Sequence, residues 1–169
     1  MKNNIKALVL HLIIVIVSSI LLIIFVATGP LFGKYTTNIV CRLFLTILLI
    51  IFYIYMGTFL DISKDKKYDF FVGSTIVVIG IGLWIYTFSI TGKNLLEVPR
   101  ELSEYWILFN IYHAPFTMID FLLGIPLIPL LALFQNLLPS FLMGCGLRYK
   151  RLKMKEKSVR DSVDGEFIK

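Results

Sequence analysis

Long runs of apolar residues constrain this chain more than any other feature. Three of them hold about 20 residues each, and a fourth apolar region extends from Tyr105 to Leu147. Twenty residues of α-helix rise about 30 Å, the thickness of the hydrocarbon core of a bilayer. Lipid offers no hydrogen bonds to the backbone, so a spanning segment must be a helix or part of a closed barrel. The runs show no strand-like alternation, and the sequence therefore predicts an all-α integral membrane protein.

Composition and charge exclude an ordinary soluble domain. Only 17% of the 169 residues are charged, against about a quarter in a typical soluble protein, and the mean hydropathy is +0.82. The net charge of +6 would suggest nucleic acid as the partner of a soluble protein. Here the basic residues flank the apolar runs, so we expect a membrane surface with anionic headgroups as the partner, and no nucleic acid.

A cluster of basic residues between Arg148 and Lys157 decides how many times the chain crosses the membrane. Cytoplasmic segments of membrane proteins carry an excess of Lys and Arg. With four spans and both termini in the cytoplasm, 13 of the 17 basic residues lie inside and 4 lie outside. A fifth span would leave 5 inside and 12 outside. The charge distribution therefore predicts four transmembrane helices, with N-in and C-in topology in the cell membrane.

The predicted transmembrane domain covers residues 1–157, and a flexible cytoplasmic tail covers residues 158–169. The predicted spans are residues 5–27, 39–60, 70–90 and 126–147. Pro99 suits the first turn of a helix, and an apolar stripe through Trp106 follows it. We therefore expect an amphipathic helix at residues 99–113 in the outer interface, with Trp106 at headgroup level. The sequence leaves open whether residues 104–125 lie in the interface or re-enter the membrane.

Asp120 is the polar residue that stands out most in the last apolar region. An ionisable side chain at membrane depth is a functional hypothesis by default. Together with His113 and Glu101 it could supply the acid and base of a catalytic site, if the three groups meet. With the last span starting near residue 126, Asp120 falls at the outer interface. There we expect a structural ion pair between Asp120 and Arg42, which enters the second span from the same side.

Gln135 and Asn136 lie near the middle of the fourth predicted span, just before Pro139. Proline removes the hydrogen bond to the carbonyl four residues earlier, so Pro139 should kink the helix and free the Gln135 carbonyl. In transporters, a broken helix of this kind can coordinate an ion or a substrate. The plainer interpretation is hydrogen bonding between helices. For His11, alone in the first span, we expect a packed and hydrogen-bonded side chain.

The basic cluster itself predicts a topology anchor at the cytoplasmic face. Basic side chains in this position can also bind anionic lipid headgroups. The residues concerned are Arg148, Lys150, Arg151, Lys153, Lys155 and Lys157.

No cofactor and no metal site is expected from the sequence. Cys41 and Cys145 lack metal-ligand spacing, and the predicted topology places them at opposite faces of the bilayer. We therefore expect both to be free thiols.

Three classes of function fit these features. The leading hypothesis is a membrane protein that acts through protein or lipid contacts, such as an accessory subunit of a transporter or sensor, or an immunity-type protein. It would have a larger membrane-protein partner or form a homo-oligomer. The first alternative is a small oligomeric transporter or channel that uses Gln135 and Asn136. The second is an intramembrane or interfacial enzyme acting on a lipid-linked substrate.

Overall fold

The computed structural model describes residues 2–36, 38–62, 66–92 and 94–166, and within them the regular structure is entirely helical. Two short 3-10 helices, Lys66–Phe71 and Arg100–Trp106, supplement the α-helices. The α-helices are, in chain order, α1 (Lys2–Thr36), α2 (Ile39–Gly57), α3 (Ser74–Thr91), α4 (Ile107–Tyr112), α5 (Ala114–Leu123), α6 (Pro129–Gln135) and α7 (Leu138–Glu166).

Four stretches of the described chain are long and apolar enough to cross a membrane, which confirms the predicted all-helical fold with four helices able to span. They are Lys2–Gly29, Ile39–Gly57, Ser74–Thr91 and Pro129–Lys157. In the first three, 22%, 17% and 28% of the most apolar window is buried, against 50% in the last. The last stretch is therefore the central helix of the bundle, and the other three turn most of their apolar surface outwards.

The central helix is broken two residues before Pro139. Helix α6 ends at Gln135, a turn covers residues 136–137, and α7 begins at Leu138. The interruption lies where the sequence predicted a kink, because the proline nitrogen cannot bond to the Gln135 carbonyl. The side chain of Asn136 folds back and donates to the carbonyls of Ala132 and Leu133, 2.9 and 3.1 Å away.

The N-terminal end of α1 and the middle of α7 meet at one end of the bundle, which we call the terminal face. Lys6 forms an ion pair with Asp61 at 3.0 Å, and Lys150 donates to the Leu60 carbonyl at 2.8 Å. Arg151 forms a second ion pair, at 2.6 Å, with Asp69 in the 3-10 helix. The loop after α2 is thus fastened both to the start of α1 and to α7. We call the other end of the bundle the opposite face.

Residues 100–123 form a helical hairpin inside the bundle. The chain bends by 116° between the segment Arg100–Tyr112 and α5. Trp106, at the start of the hairpin, donates to the Thr91 hydroxyl at the opposite-face end of α3. Tyr112 donates to the Ile76 carbonyl, near the other end of the same helix. Helix α5 then returns along α1 and α2, where Met118 and Leu122 pack against Leu49.

This hairpin differs from the amphipathic surface helix predicted for residues 99–113. Trp106 is fully buried and Phe109 is 1% exposed, in a cluster with Trp84 and Ala132, so the apolar stripe faces protein. The predicted apolar stripe exists, but it contacts neighbouring helices and not lipid. Periodicity alone does not tell these two partners apart. The contacts of residues 104–125 are those of a segment that enters the bundle at the opposite face and leaves it again at the same face.

Most of the segment predicted as a flexible tail, residues 158–169, continues α7, and its flexibility stays a prediction. Helix α7 continues without a break to Glu166, and residues 167–169 lie outside the described part of the chain.

Candidate functional site

The tip of the hairpin is His113, which ends α4 and precedes α5. Pro115 is in the first turn of α5, where its missing N–H does no harm but where it prevents α4 from continuing as one helix. The backbone of His113 (φ −101°, ψ 25°) leaves the helical region, and the chain reverses there. The imidazole is 1% exposed and stacks on Phe109, with ring centroids 4.4 Å apart. The turn therefore holds a histidine deep inside the bundle.

His11 lies on the buried face of α1 and reaches the same point. The buried residues Ala7, His11, Ile14 and Ser18 follow the spacing of one helix face. Nδ1 of His11 is 2.8 Å from the hydroxyl of Tyr53 on α2. The His11 ring lies edge-on to Tyr112, with centroids 4.9 Å apart, and 6.4 Å from the His113 ring. We call His11, Tyr53, Tyr112, His113 and Asn136 the histidine site.

Asn136 joins this site because Gly80 leaves room for it. A Cβ on Gly80 would collide with Oδ1 of Asn136 and would lie 2.8 Å from Cε1 of His113. The absence of a side chain on α3 therefore lets the amide and the imidazole lie side by side against the helix backbone. The break before Pro139 places Asn136 there, at the turn between α6 and α7.

Several polar atoms of the histidine site have no hydrogen-bond partner among the described residues. They are Nε2 of His11, both ring nitrogens of His113, and Oδ1 of Asn136. The Tyr112 carbonyl lies near the His11 ring, and the Phe109 carbonyl and the Asn136 amide lie near the His113 ring, but none of these contacts has the geometry of a good hydrogen bond. A buried polar atom without a partner costs about 1–3 kcal/mol, and the cost rises in lipid. Such a cluster is expensive for stability, and it is placed to bind water, a proton or a small polar molecule.

Polar residues extend from the histidine site towards both ends of α1. Asn4, His11 and Ser18 are seven residues apart and so share one face of the helix; we call them the α1 polar stripe. Asn4 lines a terminal-face cavity of about 550 Å³, together with Asp61 and Ser74. The buried side chains of Ala7 and Ile76 lie in the same apolar cluster, between this cavity and His11.

On the opposite-face side of the histidine site, Ser18 on α1 lies at the same height in the bundle as Thr46 on α2. The two helices run antiparallel, and each of these residues lies seven positions, or about 10 Å, from the His11–Tyr53 contact. Both hydroxyl oxygens are buried, and neither has a partner within the described residues. The polar interior thus continues about two helical turns beyond the histidine site.

Asp120 and Gln135 form a second polar contact on the returning arm of the hairpin. Nε2 of Gln135 donates to both carboxylate oxygens of Asp120, at 3.0 and 2.8 Å. The predicted partner, Arg42, lines a pocket with Phe121 on the same side of the bundle. An ion pair between Arg42 and Asp120 is not among those formed by the described residues. Gln135 is the last residue of α6, immediately before the break in the central helix.

The three residues predicted as catalytic candidates do not form one site. His113 lies at the hairpin tip, and Asp120 is engaged by Gln135 two turns further along α5. Glu101 is exposed in the 3-10 helix that begins the hairpin. However, the structure joins two groups that the sequence analysis treated separately. Gln135 binds one hairpin residue, Asp120, and Asn136 lies beside another, His113.

Sequence reasoning missed His11, Tyr53 and Tyr112 as members of the site. A lone histidine in an apolar run has no local signal of function. The signal that could have found it is the seven-residue spacing of polar residues on two helices: Asn4, His11 and Ser18 on α1, and Thr46 and Tyr53 on α2. That spacing predicts inward-facing polar stripes that can meet.

The basic cluster near the terminal face divides into residues with different partners. Arg151 is bound bidentately by Asp69, whose side chain is 1% exposed. Arg148 lies over the Phe70 ring, 5.9 Å from its centroid. Lys153, Lys155 and Lys157 are exposed. The cluster therefore both fastens α7 to the rest of the bundle and presents charge at the surface.

No metal centre emerges within the described residues, where no group of three or more His, Cys, Asp or Glu side chains comes together. Cys41 and Cys145 are both free thiols.

No protein-family model, no curated protein and no solved structure matches this chain.

Proposed function

We propose that this chain is a small proton-conducting or proton-coupled transport protein of the cell membrane, with both termini in the cytoplasm. The histidine site is the observation that carries the proposal. Buried ionisable residues inside transmembrane bundles mark proton relays and substrate pathways. Histidine suits this role because each ring nitrogen can donate or accept a hydrogen bond, so the ring can take up a proton on one side and release it on the other.

The arrangement of the two rings supports proton transfer over a purely structural role. The Tyr53 hydroxyl engages Nδ1 of His11, which fixes the orientation of the ring and leaves Nε2 for a second partner. The ring of His113 lies 6.4 Å away, with both nitrogens still able to hydrogen-bond. Two rings at this separation can exchange a proton through one bridging water. A structural cluster would be expected to satisfy these atoms within the protein.

The α1 polar stripe supplies the direction of the proposed route. It runs from the terminal-face cavity, past His11, to the level of Ser18 and Thr46. The hairpin, bent at His113, adds the second histidine beside it. The polar residues named on this route belong to one chain. Ala7 and Ile76 lie between the cavity and His11, so proton entry from the terminal face requires these side chains to move apart.

The orientation is proposed from charge. The terminal face carries the start of α1 and the basic segment of α7, and basic residues concentrate on the cytoplasmic side of membrane proteins. The proposal of a cytoplasmic terminal face rests on this rule. A cysteine introduced near Lys157 should accordingly be labelled only when the cytoplasmic side is exposed to a membrane-impermeant reagent.

The accessory or immunity-type role and the enzyme class receive less support from the geometry. The enzyme hypothesis needed Asp120, His113 and Glu101 together, and these residues lie apart. The contact-based hypothesis predicts a partner, and among the described residues the outward surfaces of the four candidate spans are mainly apolar, as contact with lipid alone would explain.

Proton flux into liposomes tests the proposal. Purified protein would be reconstituted into vesicles that contain a pH-sensitive dye, and an inward proton gradient would be imposed with a potassium-valinomycin clamp. The wild-type protein should acidify the vesicles faster than empty vesicles do. His113→Gln and His11→Gln should each reduce the protein-dependent rate about tenfold or more, because an amide cannot carry the proton.

Glu101→Gln is the matched control, since it removes an exposed ionisable group at the base of the same hairpin. It should leave the flux unchanged. Each variant must first give a wild-type helical circular dichroism spectrum and a single peak in gel filtration. Wild-type flux equal to that of empty vesicles, or undiminished flux in both histidine variants, would overturn the proposal.

A further inference from the structure

We infer that the terminal face has a binding site for one anionic diacyl phospholipid, in a groove between the end of α2 and the continuing helix α7. This inference is independent of proton conduction. The groove has a volume of about 970 Å³ and lies beside Tyr55 and Thr58 on one wall and a row of basic residues on the other.

The groove exists because two helices that are in close contact end at different places. A Cβ on Gly146 would collide with the Ile54 carbonyl, so α7 is held against the backbone of α2 at this level. Helix α2 ends at Gly57, three residues further on, while α7 continues to Glu166. The surface of α7 beyond that point is therefore left without its helix partner, and the groove is the space beside it.

The basic wall is one face of α7 and not the whole basic cluster. Lys150, Lys153, Lys157 and Arg160 are spaced three, four and three residues apart, which places them on one side of a helix. The side chain of Lys150 reaches across to the Leu60 carbonyl and closes one end of the groove. The wall contains one acidic residue, Glu156, so its net charge is positive. It is complementary to a phosphate group that carries at least one negative charge.

The other basic residues of the cluster lie elsewhere. Arg151 is bound by Asp69, Arg148 lies over Phe70, and Lys155 is not part of the groove wall. The four basic residues that line the groove therefore form a separate set, on the side of α7 that borders the groove. A diffuse attraction to the membrane surface would use all exposed basic residues equally, whereas a bound headgroup uses only this face.

An apolar surface continues from the groove along α2. Tyr55, Ile51 and Leu48 are spaced four and three residues apart and are 55%, 59% and 45% exposed. They form a strip that leads from the basic wall towards the middle of the span. An acyl chain fits this strip, and Met154 adds an apolar contact at the level of the headgroup. The joint presence of a basic wall and an apolar strip identifies the ligand as a lipid, and not as free phosphate.

Native mass spectrometry of the detergent-solubilised protein tests this inference. Dioleoyl phosphatidylglycerol and dioleoyl phosphatidylcholine would be titrated against the full chain in separate experiments. Phosphatidylglycerol should be retained as a one-to-one complex, with an affinity about tenfold or more above that of phosphatidylcholine. Each basic residue near an anionic headgroup contributes about fivefold to binding, so Lys153→Gln/Lys157→Gln should lower the affinity about 25-fold.

Arg148→Gln/Lys155→Gln is the matched control, because it removes the same charge from outside the groove. It should bind phosphatidylglycerol within about twofold of the wild type. Equal losses in the two double variants would show diffuse surface attraction and overturn the inference. Equal binding of the two lipids would do the same, because it would show that the headgroup charge is not recognised. If sn-glycerol 3-phosphate displaced the lipid at equal concentration, the site would be one for free phosphate, and the lipid assignment would be wrong.

Discussion

The Asp69–Arg151 pair and the histidine site are both buried polar groups, but they differ in how their atoms are satisfied. Arg151 donates two hydrogen bonds to the Asp69 carboxylate, at 2.6 and 3.0 Å, near the end of the bundle. In the histidine site, four ring and amide atoms lack a partner within the described residues, deeper in the bundle. The first arrangement is what structural stability requires, and the second costs stability. The contrast teaches that burial of polar residues alone does not separate a structural site from a functional one, whereas hydrogen-bond satisfaction does.

Breaking the satisfied pair should have the largest effect on stability. Arg151→Leu leaves the Asp69 carboxylate buried without its partner, and we expect a loss of about 3–5 kcal/mol in the free energy of unfolding. Unfolding in detergent micelles, followed by circular dichroism, measures this loss.

Two controls define the cause of that loss. Asp69→Leu/Arg151→Leu removes both charges and should recover most of the stability, because no charge is left unpaired. Lys153→Leu removes an exposed basic residue of the same helix and should change stability by about 0.5 kcal/mol or less. A double variant as unstable as Arg151→Leu alone would show that packing, and not charge, accounts for the effect.

Filling the space at Gly80 should disturb the histidine site directly. A Cβ there collides with Asn136, and we expect Gly80→Ala to lower the free energy of unfolding by about 1–3 kcal/mol, as overpacking does. Thermal unfolding would show the loss, and the proton flux should fall with it. Gly82→Ala is the control on the same helix, since nothing lies within 4 Å of its added Cβ, and it should be neutral or slightly stabilising. Equal effects of the two substitutions would contradict the proposed close approach at Gly80.

Removing the Tyr53 hydroxyl should cost little stability but change the site. Tyr53→Phe deletes the hydrogen bond to Nδ1 of His11, and hydrogen bonds inside membrane bundles contribute about 0.6–2 kcal/mol. Because His11 would lose its fixed orientation, we expect the proton flux to fall by more than this small loss of stability can explain. Tyr55→Phe, on the exposed side of the same helix, should leave both quantities unchanged. Unaltered flux in Tyr53→Phe would show that the orientation of His11 does not matter.

The exposed ion pair at the terminal face should give the smallest effect, and one that depends on pH. The hydrogen bond from Lys6 holds the pKa of Asp61 below its ordinary value of 3.8. A lowered folded-state pKa means that the pair stabilises the fold above pH 3.8 and that this contribution is lost as the pH falls through the folded pKa. Melting temperatures measured from neutral pH downwards should therefore converge for the wild type and Asp61→Asn at low pH. A constant difference at all pH values would rule out the ionised pair as its source.

The sequence was sufficient for the parts of the fold that depend on apolar length and on proline. The four helices able to span a membrane follow from runs of about 20 apolar residues, and the break before Pro139 follows from the missing proline N–H. The hairpin could not be predicted with the same certainty, because an apolar stripe such as the one through Trp106 and Phe109 fits lipid and protein equally well. Its burial is decided by Gly80 and by the surfaces of α1 and α3, which are distant in sequence.

The candidate site was predictable only in pieces. His113, Gln135 and Asn136 were identified because polar residues in apolar runs are conspicuous. The pairing of His113 with His11 depends on a turn of 116° and on a contact between residues about 100 positions apart, for which one sequence offers no signal. Arg42 was predicted to be the partner of Asp120 because the two residues share the same membrane depth. The structure shows Gln135 as the partner. Depth alone is not sufficient, because the direction in which a side chain points around its helix axis also decides which residues meet.

The hairpin also affects how the number of membrane crossings determines the side on which the C-terminal helix emerges. A spanning helix reverses the side on which all later residues emerge, so adding or losing one inverts the rest of the chain. A hairpin that enters and leaves by the same face preserves this parity, while it still carries two helices and a histidine into the interior. Deleting the segment between α3 and α6 would therefore leave α7 and its basic residues at the same face of the bundle.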